Sequence, residues 1–488
     1  MVLFFAVFVG SSYTIGASDR PNVVIVLCDD LGYGDLACYG NAVVQTPNID
    51  AFASGGMRLT QCYAAAPNCS PSRTGLMTGR TPYRVGIHNW IPYDSPMHVA
   101  AKEITVAKLL RQAGYSTCHV GKWHLNGNLT DTRYPQPKDH GFQWSFGTQN
   151  NAIPTHKDPD NFVRNGKPVG PLEGFAADLV TDEAISWLSN TYDGTSPFFL
   201  YVAYHEPHEP IHTSRQYVDM YPASGKPSRY DPQTTTSQAF FGNITQMDTA
   251  FGRLIGHLRT TGLDKNTLIL FTSDNGPAIT GTHPHGSTGG FRAKKGYLYE
   301  GGIRVPGIIQ YKGITQPGSV CDTPVSGVDM LPTLCRLAGV RLPRSPVLDG
   351  TDVSSVFKGR PMVRRKPLYW QFHPTRGEHQ VALREGNWKL VASIEGGGMP
   401  LFGDIRQEDQ FAIKNAILAD FALYDLTNGQ EMTDLSGENY RQFRRMERML
   451  RHRFSAVLEE SPVWPNWKWP QWEGKRINKF VEDLNQDG

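Results

Sequence analysis

The sequence is 488 residues long, with 39% hydrophobic and 19% charged residues. That length is too great for one small core and predicts a large domain with a smaller one attached. A net charge of +2 excludes a polyanion-coating surface, so no nucleic-acid partner is expected and an acidic ligand must be met by a local pocket.

The chain opens on an apolar run, Val2 to Val9, followed by small and polar residues. The run is too short to span a bilayer, so residues 1–18 read as a signal peptide, although no basic residue precedes the run. Export to a periplasmic, secreted or lysosome-like location follows. No later stretch is apolar enough for a transmembrane helix. Asn22 to Leu27 is a β-branched run expected of a strand buried on both faces of a parallel sheet, and it delivers Asp29 and Asp30. Adjacent carboxylates that lose water call for a cation. Next comes Cys69, ahead of Pro71 and Arg73 in a segment with helical leanings. A Cys-x5-Arg phosphatase loop would need an arginine where Gly75 stands, and a papain-like site would surround its cysteine differently, so neither cysteine chemistry fits.

A helix is predicted over Ala100 to Ala113 and a strand over Tyr115 to Val120, delivering Lys122 and His124. A helix over Asp178 to Asn190 and a strand over Pro197 to Tyr204 follow, delivering His205-Glu206-Pro207-His208-Glu209-Pro210. The prolines stop that strand and stiffen the turn. A long helix over Ala239 to Leu263 precedes a strand over Thr267 to Phe271, which delivers Asp274 and Asn275. Strand after strand thus presents a polar cluster at its carboxyl end, where an open α/β sheet builds its site. The oxygen donors Asp29, Asp30, Asp274 and Asn275 favour Ca2+ or Mg2+ over zinc. Lys294 and Lys295 abut this edge.

After a helix over Asp329 to Ala338, the connection Pro343 to Gly359 divides residues 19–355 from residues 356–488. Short strands are predicted over Pro367 to Phe372, His379 to Arg384, Trp388 to Ser393 and Phe421 to Leu426, with a helix over Glu438 to Leu458. The fold class is therefore α/β, a mainly parallel central sheet flanked by helices, with a smaller C-terminal α+β domain carrying an antiparallel sheet. The arginines from Arg441 to Arg453 read as a solvated helix face, and the tail tryptophans Trp464, Trp467, Trp469 and Trp472 as packing back on the body. Of the seven cysteines, Cys321 and Cys335 are a candidate disulfide pair. Asn128-Leu129-Thr130 and Asn243-Ile244-Thr245 are sequons.

Cys69-Ser70-Pro71-Ser72-Arg73, trailed by Thr78-Gly79-Arg80, resembles the signature of the type I formylglycine-dependent sulfatases of the alkaline-phosphatase superfamily. Arylsulfatase A-like and N-acetylgalactosamine sulfatases are of this kind. Leu31-Gly32-Tyr33-Gly34-Asp35, Gly121-Lys122-Trp123-His124, Pro207-His208-Glu209-Pro210 and Tyr299-Glu300-Gly301-Gly302 carry the same resemblance. It implies that a formylglycine-generating enzyme oxidises Cys69 to an aldehyde working as its hydrate, whose oxygen joins Asp29, Asp30, Asp274 and Asn275 around Ca2+, with Mg2+ second. It further implies that Arg73 and Lys122 hold the hydrate, that His124 is the base when the intermediate breaks down, and that His208 and Lys295 bind the sulfate and protonate the departing oxygen. Thr148-Gln149-Asn150-Asn151 departs from the serine found there in some members, leaving Asn151 as the substrate-binding candidate. Gly141-Phe142, Gly147 to Asn151 and Asn161 to Gly166 resemble carbohydrate sulfatases and suggest a galactose or N-acetylgalactosamine sulfate, with His156, Arg164, His373 and Arg376 as candidates for gripping the sugar. The rival readings are a phosphonate monoester or phosphodiester hydrolase of the same superfamily and a non-catalytic glycan-binding relative.

Overall fold

The computed structural model describes residues 20–281, 283–399 and 404–470. The predicted signal peptide and Trp472 lie outside the described residues. Five parallel strands form the centre: β1 (Asn22–Asp29), β2 (Ser116–Lys122), β3 (Trp144–Thr148), β4 (Phe198–Pro207) and β5 (Thr267–Ser273), in the order β5-β1-β4-β2-β3. Gly307–Tyr311 pairs antiparallel with β5, followed outward by Met57–Leu59 and Ser319–Cys321, and two short strands extend the other edge to make ten in all.

The β-branched run of β1 explains its central place. Val23, Ile25 and Leu27 enter one hydrophobic core and Val24, Val26 and Cys28 another, so the two-residue period of the strand feeds both faces of the sheet. Helices Ala176–Asn190 and Thr236–Thr260 cover the second core. At roughly 1.5–3 kcal/mol for each fully buried aliphatic side chain, this packing fixes the register on which the site depends.

Element ends follow local chemistry. The helix expected from Ala100 begins at Val106, because the Thr105 hydroxyl accepts from Lys108 N at 3.2 Å and caps it there. Strands β4 and β5 run further than the sequence suggested, β4 through Glu206-Pro207 and β5 through Ser273.

The second sheet is antiparallel: β6 (Leu368–Gln371), β7 (Val381–Glu385), β8 (Trp388–Ile394) and β9 (Leu418–Asp425), paired in that order. The predicted hairpin turns at Gly386-Asn387, with Gly386 at φ +57°. One face, through Leu383, Leu390 and Leu423, packs on Met446, Leu450 and Phe454 of helix Tyr440–Glu460. The other, through Trp370, Ala382 and Val391, packs on Tyr63, Leu298 and Ile303, and so braces the segment that follows Lys295. Arg444 and Arg451 pair with Glu447, Arg445 with Glu385 and Arg453 with Asp349, which accounts for much of the arginine run without a polyanion.

Two sequence expectations are corrected. All seven cysteines are free thiols: Cys335 is buried in helix Met330–Leu337 and is not joined to Cys321 on the edge strand. The second sequon fails sterically as a glycosylation site, because Asn243 is buried in helix Thr236–Thr260. No helix of the described residues is long and apolar enough to cross a membrane.

Candidate active site

The carboxyl ends of β1, β2, β4 and β5 converge with one helix terminus. Cys69 is the first residue of helix Cys69–Thr78, where the Asn68 side chain accepts from Cys69 N at 2.9 Å. This cap pins the thiol at the end of the helix that favours negative charge. Asp29, Asp30, Cys69 and His208 each offer a ligand atom, and these atoms lie within 4.8 Å of one another. Lys295 Nζ is 3.3 Å from Cys69 Sγ and 2.6 Å from Asp30 Oδ1.

Behind this group lies a buried lattice of charge. Arg73, one turn beyond Cys69 and without exposure, donates from Nε to Asp274 Oδ2 (2.9 Å) and from an Nη to the Lys122 carbonyl (2.9 Å), while its other Nη lies 2.8 Å from Asp274 Oδ2. Lys122 Nζ donates to Asp29 Oδ2 at 2.5 Å. Asp30 N donates to Asp274 Oδ1 (3.2 Å), and Asn275 Nδ2 to Asp30 Oδ1 (2.6 Å). Asp29, Asp30 and Asp274 thus balance Arg73, Lys122 and Lys295, so a divalent cation would leave the site positive and suited to an anionic ester.

Burial and these partners set the titrations. Burial alone would raise Asp29, but Lys122, His208 and Arg73 outweigh it and hold the carboxyl well below its ordinary value. Asp274 is raised to about 7 by burial and the neighbouring Asp29 charge, against the pull of Arg73. Burial pushes the Cys69 thiol up to about 12 despite Lys122 and Lys295. A thiol so perturbed is protonated at neutral pH, which argues against thiolate chemistry. His124 is held well below its usual value by burial, then by Lys122 and Arg73. Its Nε2 lies 3.1 Å from the Ile91 carbonyl, to which it donates, leaving Nδ1 buried and without a partner. His208 Nδ1 donates to the Glu209 carbonyl (2.5 Å), turning Nε2 toward Asp30 Oδ2 at 3.6 Å.

Buried Asp29 Oδ1 and Asn275 Oδ1 have no hydrogen-bond partner. Orphaned buried oxygens are costly, and exchanging the oxygen and nitrogen of the Asn275 amide would turn an oxygen toward Asp30. The residues present therefore fit a hard cation.

The site opens into a cavity of about 260 Å³ whose lining includes Asp30, Cys69, His124, Asn151, His208, Lys295 and Arg376. The structure thus brings together the predicted catalytic and metal-ligating residues, and Asn151 and Arg376 with them. It does not bring His156, His373 or Arg164 to the cavity. His156 is buried between Asn243 and Glu206, and His373 is buried beside Tyr83 and Phe454, bonded to Gln371 (2.8 Å). Arg164 pairs with Glu183 on the outer part of the sheet. Burial among neighbouring polar groups, rather than exposure to a ligand, accounts for both histidines. The sequence reading missed Trp90, Tyr230 and His283, which also line the cavity, with His283 Nε2 2.7 Å from Glu209 Oε1 and Tyr230 donating to Glu209 Oε2 at 3.1 Å. Glu209 stood beside His208 in the sequence and was the available signal; its partners come from distant loops.

The sequence model of the sulfatase family matches residues 21–340, and that of the N-sulphoglucosamine sulphohydrolase C-terminal region matches residues 288–417. The chain is 33% identical to N-acetylgalactosamine-6-sulfatase of Mus musculus, over 77% of this chain and 72% of that protein. It is 32% identical to arylsulfatase A of Homo sapiens, over 77% of this chain and 75% of that protein. Among solved structures, Ps i-CgsB in complex with k-i-k-neocarrahexaose superposes with a TM-score of 0.77 at 26% identity, covering 93% of this chain and 96% of that one.

Proposed function

The chain belongs to the sulfatase family and is a sulfuric ester hydrolase, and on that premise we propose that it removes sulfate from a sulfated carbohydrate, a galactose or N-acetylgalactosamine sulfate, using formylglycine at position 69 and Ca2+. The observation that carries the reading is Cys69 at a helix N-terminus, 3.3 Å from Lys295 and grouped with Asp29, Asp30 and His208. The relative named N-acetylgalactosamine-6-sulfatase and the neighbour solved with k-i-k-neocarrahexaose support the sugar class.

Asp29, Asp30, Asp274 and Asn275 would hold the cation, with Ca2+ preferred to Mg2+; when bound, the ion neutralises sulfate oxygens and favours the ionised nucleophile. The matured residue 69 supplies two hydroxyls on one carbon, the first to attack sulfur and the second to release the product. Around them the chain's own groups divide the work. Arg73 is a positioning residue, since its donors are directed at Asp274 and the Lys122 carbonyl. Lys122 and Lys295 place positive charge beside the reacting centre, inside a buried setting where such charge acts strongly. His208 donates from Nδ1 to the Glu209 carbonyl, so it gives a proton from Nε2 to the departing alcohol oxygen as the imidazolium, a form that Asp29 and Asp30 favour against burial. His124, kept neutral by its surroundings, takes a proton at Nδ1 from the remaining hydroxyl at position 69.

The test is sulfate release, followed by ion chromatography, from 4- and 6-sulfated galactose and N-acetylgalactosamine, using protein co-expressed with a formylglycine-generating enzyme. Release from one sugar, abolished in Cys69→Ala, is the expected result. An aldehyde at position 69 without release from any of these sugars rules out the galactose-type substrate, and faster turnover of a phosphate diester would favour the phosphodiesterase reading. Export through residues 1–18 is checked by N-terminal sequencing of the mature protein.

A further inference from the structure

Beyond Lys295, three more cations line the cavity, Arg229, Lys294 and Arg376. Lys295 is matched by Asp30. Arg376 is not matched in this way: it is exposed at the cavity wall, and among the described residues no carboxylate lies within ion-pair distance of its guanidinium and no acceptor takes a hydrogen bond from it. The side chain is nevertheless held in place. Arg376 N donates to the Gly296 carbonyl (3.1 Å), Thr375 Oγ1 donates to the same oxygen (2.9 Å), and the Arg376 stem lies along Gly296, where an added Cβ would meet Arg376 Cγ and Cδ at 3.7 Å. The Arg376 backbone is therefore tethered to the residue that follows Lys295, and its stem runs from there.

Lys294 donates to the Ile279 carbonyl and likewise has no carboxylate partner among the described residues. Burial, and then the Arg376 charge, lower its pKa, as expected of like charges kept together. With no carboxylate to neutralise them, the two side chains give this part of the cavity wall a local positive potential that an anion would satisfy. The planar fork of an arginine matches both sulfate and carboxylate oxygens.

We propose that Arg376 and Lys294 form a second anion subsite, which takes a further sulfate or a uronate carboxylate of the same glycan, so that the enzyme selects multiply charged carbohydrates over singly sulfated ones. The inference rests on the sulfated-carbohydrate reading and deepens it. The attacked ester meets Lys295, with Asp29, Asp30, Asp274 and Asn275 as the residues that would hold the cation, while the second anion meets the Arg376 guanidinium on the same cavity wall.

The test compares kcat/KM for galactose-type sugars bearing one sulfate, two sulfates, or one sulfate and a neighbouring uronate, in wild type, Arg376→Gln, Arg376→Lys and Lys294→Gln. Wild type is expected to prefer a doubly charged sugar by about tenfold, expressed in KM and weakened by salt. Arg376→Gln brings that ratio close to one, and Arg376→Lys keeps part of it. The better of the two doubly charged sugars identifies sulfate or carboxylate as the second anion. Should Arg376→Gln fail to fold, Lys294→Gln gives the same reading. A wild-type ratio near one, or a folded Arg376→Gln that retains the full ratio, overturns the proposal and leaves the carbohydrate reading intact. Hydrolysis of an aryl sulfate without release from any sugar overturns that reading and the subsite with it.

Discussion

Replacing Lys389 with methionine tests how the second sheet is fastened beneath the active site. Lys389 Nζ, without exposure, lies 3.1 Å from Glu300 Oε1 and 2.7 Å from Glu431 Oε1. Glu300 also accepts from Tyr63 (2.6 Å) and lies 3.3 Å from Arg304, and it opens the helix that follows the Lys295 segment. Burial would raise Glu300, but Lys389, Arg384 and Arg304 prevail and bring it down to about 2. Glu431 is raised, by burial ahead of the attraction of Lys389. A methionine fills the volume of the stem yet leaves two buried carboxylates short of one cation, a loss of about 3–5 kcal/mol. At roughly 2 °C per kcal/mol in a large domain, the melting temperature should fall by about 6–10 °C.

The sign of the pH response follows. In the native protein the depressed Glu300 contributes stability that is present above its ordinary value of 4.5 and lost as pH falls toward 2. In Lys389→Met the carboxyls shift upward instead, so the penalty is full at alkaline pH and relaxes as one of them takes a proton. Melting curves of both proteins, recorded from about pH 5.5 to pH 8 at one scan rate, should show a deficit that shrinks on acidification. A deficit below about 2 °C, or one that widens in acid, refutes the reasoning.

Cys69→Ala should reduce sulfate release by roughly 10⁴-fold or more, and Cys69→Ser should give at most one turnover per molecule in a burst assay, because one hydroxyl cannot expel the sulfate it accepts. His124→Gln should lower kcat by about 10²–10⁴-fold with little change in KM. Because His124 is held well below 6.5, its contribution is present at neutral pH and lost only in acid, so a pH–rate profile in which wild type loses that contribution above pH 6.5 contradicts the assignment. Chelation should abolish turnover and lower the melting temperature; Ca2+ should restore both more fully than Mg2+, a stabilisation of about 2.7 kcal/mol at a hundredfold excess over Kd. Arg73→Met should destabilise by about 3–5 kcal/mol, more than Arg73→Lys, since it leaves Asp274 buried without its fork.

What the sequence alone determined was local. The unbroken aliphatic run of β1 demanded burial on both faces, and the structure divides it between two cores. Acidic, basic and imidazole residues just past successive strands forecast a site at one edge of the sheet, because parallel strands joined by helices bring their carboxyl ends together. The resemblance of the Cys69 segment supplied the chemistry that spacing could not. Tertiary structure alone decided which polar residues face a ligand. His156, His373 and His208 are indistinguishable by residue type, yet the first two are packed against polar neighbours while His208 lines the cavity. It also decided that Cys321 and Cys335 stay apart, that Glu209 meets His283 and Tyr230, and that Arg376 is tied to Gly296 beside Lys295. Each of these depends on contacts between segments far apart in the chain, which tertiary packing specifies and no local propensity records.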